Sequence, residues 1–139
     1  MRTLIVSVAA LCVLLWTASA QSPRTVWDGV FTKDQAEIGH GIFGDECAGC
    51  HGDNLETGGD SGPALAGEGF KDEWNGKGLN ELFALLSTRM PQSAPGSMKK
   101  PEYAALLAYI LSENDFPAGA KALDPDEAAL KLIKFQTTK

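Results

Sequence analysis

An all-α single domain, with three main helices and a short terminal helix, is what the sequence predicts, and three observations carry that expectation. Apolar residues recur at helical spacing in several separate segments, capping sequences stand in front of those segments, and no stretch alternates polar and apolar residues as a half-buried strand does. With 139 residues, of which 44% are hydrophobic, the chain has room for one core. Its 15 glycines and 7 prolines punctuate the chain without approaching the share of a disordered or collagen-like sequence. No internal repeat or low-complexity segment is present.

In chain order, the first element is an address. Arg2 precedes an apolar run from Leu4 to Trp16, and Ala18-Ser19-Ala20 forms a small-residue cleavage site, so residues 1–20 are expected to be a signal peptide removed before Gln21. The run is shorter than the roughly 20 residues of a spanning helix, which leaves no membrane insertion after cleavage. Cys12 lies inside the run, but Leu11 stands before it where a lipoprotein signal has a small residue. In the mature chain, 21–139, Thr32-x-x-Gln35 reads as a capping box, and Ile38, Ile42 and Phe43 follow at helical spacing. A helix is therefore expected from about Lys33 to the region of Cys47. Its glycines at 39, 41 and 44 weaken it in isolation, and close approach of another helix is the expected reason for them. Twelve of the 15 glycines lie between Gly39 and Gly78, so residues 52–78 are expected to be mostly loop around a large nonpeptide object. Leu79, Leu82, Phe83, Leu85 and Leu86 mark a second helix that must end before Pro91. After a loop from Met90 to Lys100, Pro101 fits the first turn of a third helix. Its stripe is Ala104, Leu107, Ile110 and Leu111, and Asn114 and Pro117 close it. Asp124-Pro125-Asp126-Glu127 is read as a second capping box, starting a terminal helix to about Phe135.

Once the signal is gone, Cys47 and Cys50 are the only thiols, in a compartment that oxidises thiols. A pair this close cannot staple distant segments. The next residue supplies the explanation, because Cys47-Ala48-Gly49-Cys50-His51 is the C-x-x-C-H haem attachment sequence. The spacing puts both sulfurs on one side of a helical turn, where each reaches one side group on the same haem edge. His51 then turns its imidazole beneath the iron as an axial ligand, and small Ala48 and Gly49 leave room for the macrocycle. A zinc site from His40, Cys47, Cys50 and His51 fits poorly, since adjacent residues do not readily fill two corners of a tetrahedron. A thiol redox motif normally opens a helix after a strand, and no β-rich run precedes Cys47. His40 is read as a helix surface residue with no second haem to ligate.

At this point the sequence resembles the class I c-type cytochromes, small single-haem electron carriers, over nearly the whole mature chain. Besides the attachment motif, the resemblance rests on Gly39 and Phe43, on Gly62-Pro63-Ala64-Leu65-Ala66-Gly67, on Met90-Pro91, and on Leu106-Leu107-Ala108-Tyr109-Ile110-Leu111. The opening Thr25-Val26-Trp27-Asp28-Gly29-Val30-Phe31 is similar to that of bacterial cytochromes associated with quinoprotein dehydrogenases. The resemblance implies a cytochrome c-like fold around one covalently bound haem c, and a methionine as sixth ligand. Of Met90 and Met98, Met90 is favoured because Pro91 pushes it toward extended backbone and stiffens its loop; Met98 is read as covering apolar surface. The resemblance also assigns the Pro63 carbonyl as acceptor of the His51 Nδ1 proton. Trp74 is either a donor to a haem propionate or an ordinary core neighbour of Phe70.

Histidine and thioether together favour the reduced iron, and with both axial positions filled no substrate reaches the metal. The implied function is a periplasmic monomer, not an enzyme, passing single electrons from a dehydrogenase to an oxidase or another cytochrome. The competing readings are a haem enzyme or gas sensor with an open sixth site, and a subunit of a quinoprotein dehydrogenase complex. The formal net charge of −6 argues against nucleic acid, whose binders need a basic face. The acidic residues Asp45, Glu46, Asp53, Glu56 and Asp60 crowd the attachment segment, with Lys71, Lys77, Lys99 and Lys100 downstream, so a charge-steered redox partner is expected to be basic.

Overall fold

The structure, a computed structural model, describes residues 23–55 and 62–139. The expected signal peptide and the acidic residues Glu56 and Asp60 lie outside the described residues. The element order is β1 (Arg24–Thr25), a 3-10 turn (Val26–Asp28), α1 (Lys33–Glu46), α2 (Ala48–His51), α3 (Glu68–Trp74), α4 (Leu79–Arg89), α5 (Lys100–Glu113), α6 (Glu127–Lys131) and β2 (Ile133–Lys134). The all-α class therefore holds, with one short strand pair in addition.

The helix pair α1 and α5 is the frame. α5 is buried continuously from Tyr103 to Leu111, as a helix that is apolar on all sides must be. The two helices meet at Gly39, where a Cβ would run into the Ala105 carbonyl oxygen and come within 2.8 Å of the Tyr109 Cβ. Helix approach thus accounts for Gly39 but not for Gly41 or Gly44, where a Cβ would have nothing within 4 Å. Thr32 caps α1 by accepting from Gln35 N at 3.2 Å. The Gln35 side chain does not close the expected box; it clamps the distant backbone of Leu123, donating to its carbonyl at 3.0 Å and accepting from its N–H at 2.7 Å.

Among its described residues the segment 52–78 is mostly loop, as expected, with one short helix: Phe70 and Trp74, four apart, turn their rings to the core on one face of α3. Two expectations need correction. The N-cap of α6 is Asp126, accepting from Ala129 N at 3.0 Å, whereas Asp124 accepts from Asp126 N at 2.9 Å in a local turn ahead of the helix. Finally, α6 stops at Lys131, and the chain runs on in extended form to pair Ile133 with Arg24 in a parallel register. Extension lets Phe135 reach an aromatic cluster, with ring centroids 5.1 Å from Phe116 and 6.0 Å from Phe70. Helical backbone would also deny the main-chain bonds from Gly76 N to Phe135 O, 2.8 Å, and from Phe135 N to Lys77 O, 3.0 Å. Among the described residues no helix is long and apolar enough to cross a membrane.

Candidate functional site

Helix α1 ends because Cys47 leaves helical geometry, at φ −125° and ψ −36°, and one new turn, α2, then presents Cys50 and His51. The turn is closed by bonds from Cys50 N and His51 N to the Cys47 carbonyl, at 3.1 and 3.0 Å. Cys47 is half-buried and Cys50 is exposed, and the two are not joined in a disulfide. Burial first, then the neighbouring Glu46 carboxylate and the Cys50 thiol, push the Cys47 thiol up to about 11. A reactive cysteine needs a depressed value, so the environment of Cys47 does not favour an exposed thiolate nucleophile. His40 lies apart from this cluster, exposed on α1 and stacked on the Tyr109 ring at 4.9 Å between centroids.

His51 is only 8% exposed, and its Nδ1 lies 2.8 Å from the Pro63 carbonyl oxygen. A carbonyl only accepts, so Nδ1 carries the proton, and in the neutral ring Nε2 then keeps its lone pair for a metal. Gly62 permits this arrangement: a Cβ there would stand 2.8 Å from His51 Nδ1 and 2.9 Å from Cε1.

These groups open onto a cavity of about 230 Å³. Cys47, Cys50, His51 and Pro63 line it from the α2 side, and Leu86, Met90 and Pro91 from the end of α4. Phe43, Leu106 and Ile110 contribute from α1 and α5, and Phe70 and Trp74 from α3. Met90, at φ −122° and ψ 150°, has the extended backbone expected before proline. Met98 does not line the cavity and packs half-buried against the core. Trp74 is on the cavity wall and is also a ring neighbour of Phe70, at 6.2 Å, with Lys77 Nζ 4.6 Å from its ring centroid. Both sequence readings of Trp74 are therefore compatible with its position.

Two residues at the site escaped sequence reasoning. Tyr103 donates its hydroxyl to the Met90 carbonyl at 2.8 Å. Asn114, 2% exposed, is more than a helix stop: its Nδ2 donates to Leu65 O at 2.9 Å and Ile110 O at 2.8 Å, and its Oδ1 accepts from Gly67 N at 3.2 Å. The available signal was an amide continuing an otherwise apolar stripe at the end of α5.

The family model described as cytochrome c oxidase, cbb3-type, subunit III matches residues 34–110. The chain belongs to this cytochrome c family. The match takes in α1, the attachment turn, α3, α4 and most of α5, and agrees with the resemblance to class I c-type cytochromes. Family membership implies haem c as cofactor, electron transfer as the domain's work and redox proteins as its partners. The donor set fits that group: two thiols on one turn, an imidazole with Nε2 free, apolar walls and a thioether on the same cavity. Among solved structures, the cytochrome is similar to a chain in the crystal structure of the sulfane dehydrogenase SoxCD from Paracoccus pantotrophus, with 25% identity and a TM-score of 0.46. That match covers 64% of this chain and 52% of the other, so the cytochrome spans about half the length of that chain. Comparison with curated proteins gives no match.

Proposed function

We propose that this cytochrome carries a single haem c, joined through Cys47 and Cys50 and ligated by His51 and Met90, and acts as a periplasmic one-electron carrier from a dehydrogenase to an oxidase or another cytochrome. The observation that carries the reading is the His51–Pro63 hydrogen bond at 2.8 Å, which presents a ligand-ready Nε2 in the cavity that Cys47, Cys50 and Met90 also line. The haem, when bound, supplies a one-electron ferrous–ferric couple.

The chain's own residues give that couple its character. His51 is held in one tautomer and orientation by Pro63, which strengthens the imidazole as a donor. The Met90 thioether would hold the haem as a soft ligand that favours the ferrous state, and together with His51 it would keep substrate from the metal. Phe43, Leu106, Ile110 and Phe70 exclude water and keep the dielectric low, which limits reorganisation when the charge changes. Trp74 is assigned to a haem propionate through its indole N–H. Export is supported by Arg2, the Leu4–Trp16 run and Ala18-Ser19-Ala20. The monomeric carrier needs no lasting partner, since electron-transfer encounters use small interfaces that separate after each turnover.

Visible spectra of both oxidation states with and without carbon monoxide, combined with the mass of the denatured protein, test the reading. The expected result is colour retained after denaturation, a mass increment of one haem, a ferric thioether-to-iron band and no rapid carbon monoxide binding. Haem released by acid extraction refutes covalent attachment, and rapid carbon monoxide binding moves the protein to the open-site enzyme or sensor class.

A further inference from the structure

Helix α5 does more than form the core. Tyr103, Leu106, Ile110 and Asn114 follow one another at three- and four-residue steps, so they share one helix face. Leu106 and Ile110 in the middle of this stripe line the cavity. The residues at its ends are polar and buried and reach backbone outside the helix, Asn114 also bonding the helix's own Ile110 carbonyl at 2.8 Å. Tyr103, 2% exposed, holds the Met90 carbonyl at 2.8 Å. Asn114, about three turns and roughly 16 Å further along, holds the loop beyond Pro63 through Leu65 O and Gly67 N. That loop is gripped from its other side as well, because Leu65 N and Ala66 N both donate to Leu55 O, at 2.7 and 3.1 Å. The Pro63 carbonyl, two residues before Leu65, is thereby fixed against His51.

Core packing does not explain these polar groups. A phenylalanine or leucine would bury as well without the desolvation cost of a hydroxyl or an amide, and a buried polar side chain is tolerated only when its bonds are made. Besides the Asn114 bond to Ile110 O that closes the helix end, these bonds end on the Met90 carbonyl and on the loop whose Pro63 carbonyl holds His51. We infer that the cavity-facing stripe of α5 is a caliper: Tyr103 and Asn114 are positioning residues that separately fix the Met90 side and the His51 side of the site. The inference rests on the ligand assignment proposed above.

The test uses the haem-loaded protein with Tyr103→Phe, Asn114→Asp and Asn114→Leu, and Leu130→Ala as a control that is fully buried on α6 and does not line the cavity. Loss of a net hydrogen bond corresponds to roughly a tenfold change in an opening equilibrium. Tyr103→Phe is therefore expected to speed carbon monoxide binding by about fivefold to tenfold, with hydrogen exchange at Gly67 N and His51 Nδ1 unchanged. The Asn114 variants are expected to speed exchange at His51 Nδ1 by a similar factor, and Asn114→Leu at Gly67 N as well, and to raise the reduction potential because a loosened imidazole donates less strongly. Carbon monoxide binding stays at the wild-type rate in both. Leu130→Ala lowers the melting temperature and moves neither signature. Variants that move both signatures together, or neither by more than Leu130→Ala at matched stability, overturn the caliper. Should the Asn114 variants not fold, Gly67 N exchange in the wild-type protein decides that arm: slow exchange supports the bracket and fast exchange overturns it. Wild-type protein that binds carbon monoxide rapidly refutes the Met90 ligation and the Tyr103 arm with it, while Gly67 exchange still decides the Asn114 arm.

Discussion

Replacing Gly62 by alanine puts the His51 hydrogen bond under a calculable load. The added Cβ would lie 2.8 Å from Nδ1, 2.9 Å from Cε1 and 3.0 Å from the Cys50 carbonyl oxygen, against an ordinary carbon contact of about 3.5 Å. Backbone on one side and the imidazole on the other leave the ring as the part that yields, by about 0.6–0.7 Å. A shift of that size takes the 2.8 Å bond to Pro63 to the outer limit of hydrogen-bond geometry. A buried donor left without its acceptor costs about 1–3 kcal/mol, and in a domain of this size each kcal/mol lowers Tm by roughly 3–5 °C. Thermal unfolding of the holoprotein followed in the haem band, together with potentiometry, measures both consequences: a lower Tm and a higher potential, the latter because His51 becomes a weaker donor. Gly69→Ala is the matched control, because a Cβ there meets nothing within 4 Å; it is expected to lose no stability. A Gly62→Ala protein with wild-type Tm and potential refutes the claim that the Gly62 gap sets the His51 orientation.

Met90→Ala is expected to abolish the ferric thioether band, lower the potential and admit carbon monoxide, whereas Met98→Ala loses only packing, about 1 kcal/mol by chemical denaturation. Within α1, Gly39→Ala is expected to destabilise by about 1–3 kcal/mol through collision with the Ala105 carbonyl. Gly41→Ala, with open space around the new methyl, gains up to about 1 kcal/mol of helix propensity, and calorimetry separates the two signs. Glu46→Lys with Asp53→Lys is expected to slow bimolecular electron transfer to the physiological partners at low ionic strength and to leave the spectrum unchanged; stopped-flow rates indifferent to salt and to these reversals refute the steering role. In the haem-free chain the Cys47 thiol, raised from 9.0 to about 11, holds its proton more tightly folded than unfolded. Its contribution to stability is therefore complete below about pH 9 and is lost as the pH rises through about 11. Iodoacetamide at pH 8 is expected to label the exposed Cys50 before Cys47.

What the sequence made legible divides by range. The attachment turn, the helix end at Met90 and the proline start of α5 are local matters of spacing and backbone preference, and each was readable within about five residues. The His51–Pro63 bond was reachable only through family resemblance, because nothing in the spacing of the two residues dictates the pairing. Trp74 and Phe70 could be read as one helical turn, yet the glycines around them pulled the segment toward loop; tertiary burial of the two rings outweighs that propensity. The C-terminal strand was hidden for a similar reason. The sequence after Asp126 has helical character, but Phe135 gains more by extending into the cluster with Phe116 and Phe70 than by continuing a helix. Asn114 stayed unread because its partners, Leu65 and Gly67, are far away in sequence and offer only backbone atoms.

The same division governs how the site is held. α1 and α5 pack directly on one another, and the attachment turn is a continuation of α1, so Cys47, Cys50 and His51 sit on the part of the molecule that is stable by its own contacts. α3 makes no extensive contact with another helix among the described residues; its Phe70 and Trp74 face the cavity and the tail ring of Phe135. A planar apolar group in the cavity would pack directly against those two rings and add dispersion contacts to α3. Haem binding in this cytochrome is thus expected to stabilise α3 and the Trp74 wall far more than the α1–α5 frame. The two sides of the cavity are joined by α5, which reaches the His51 side through Asn114 and the Met90 side through Tyr103.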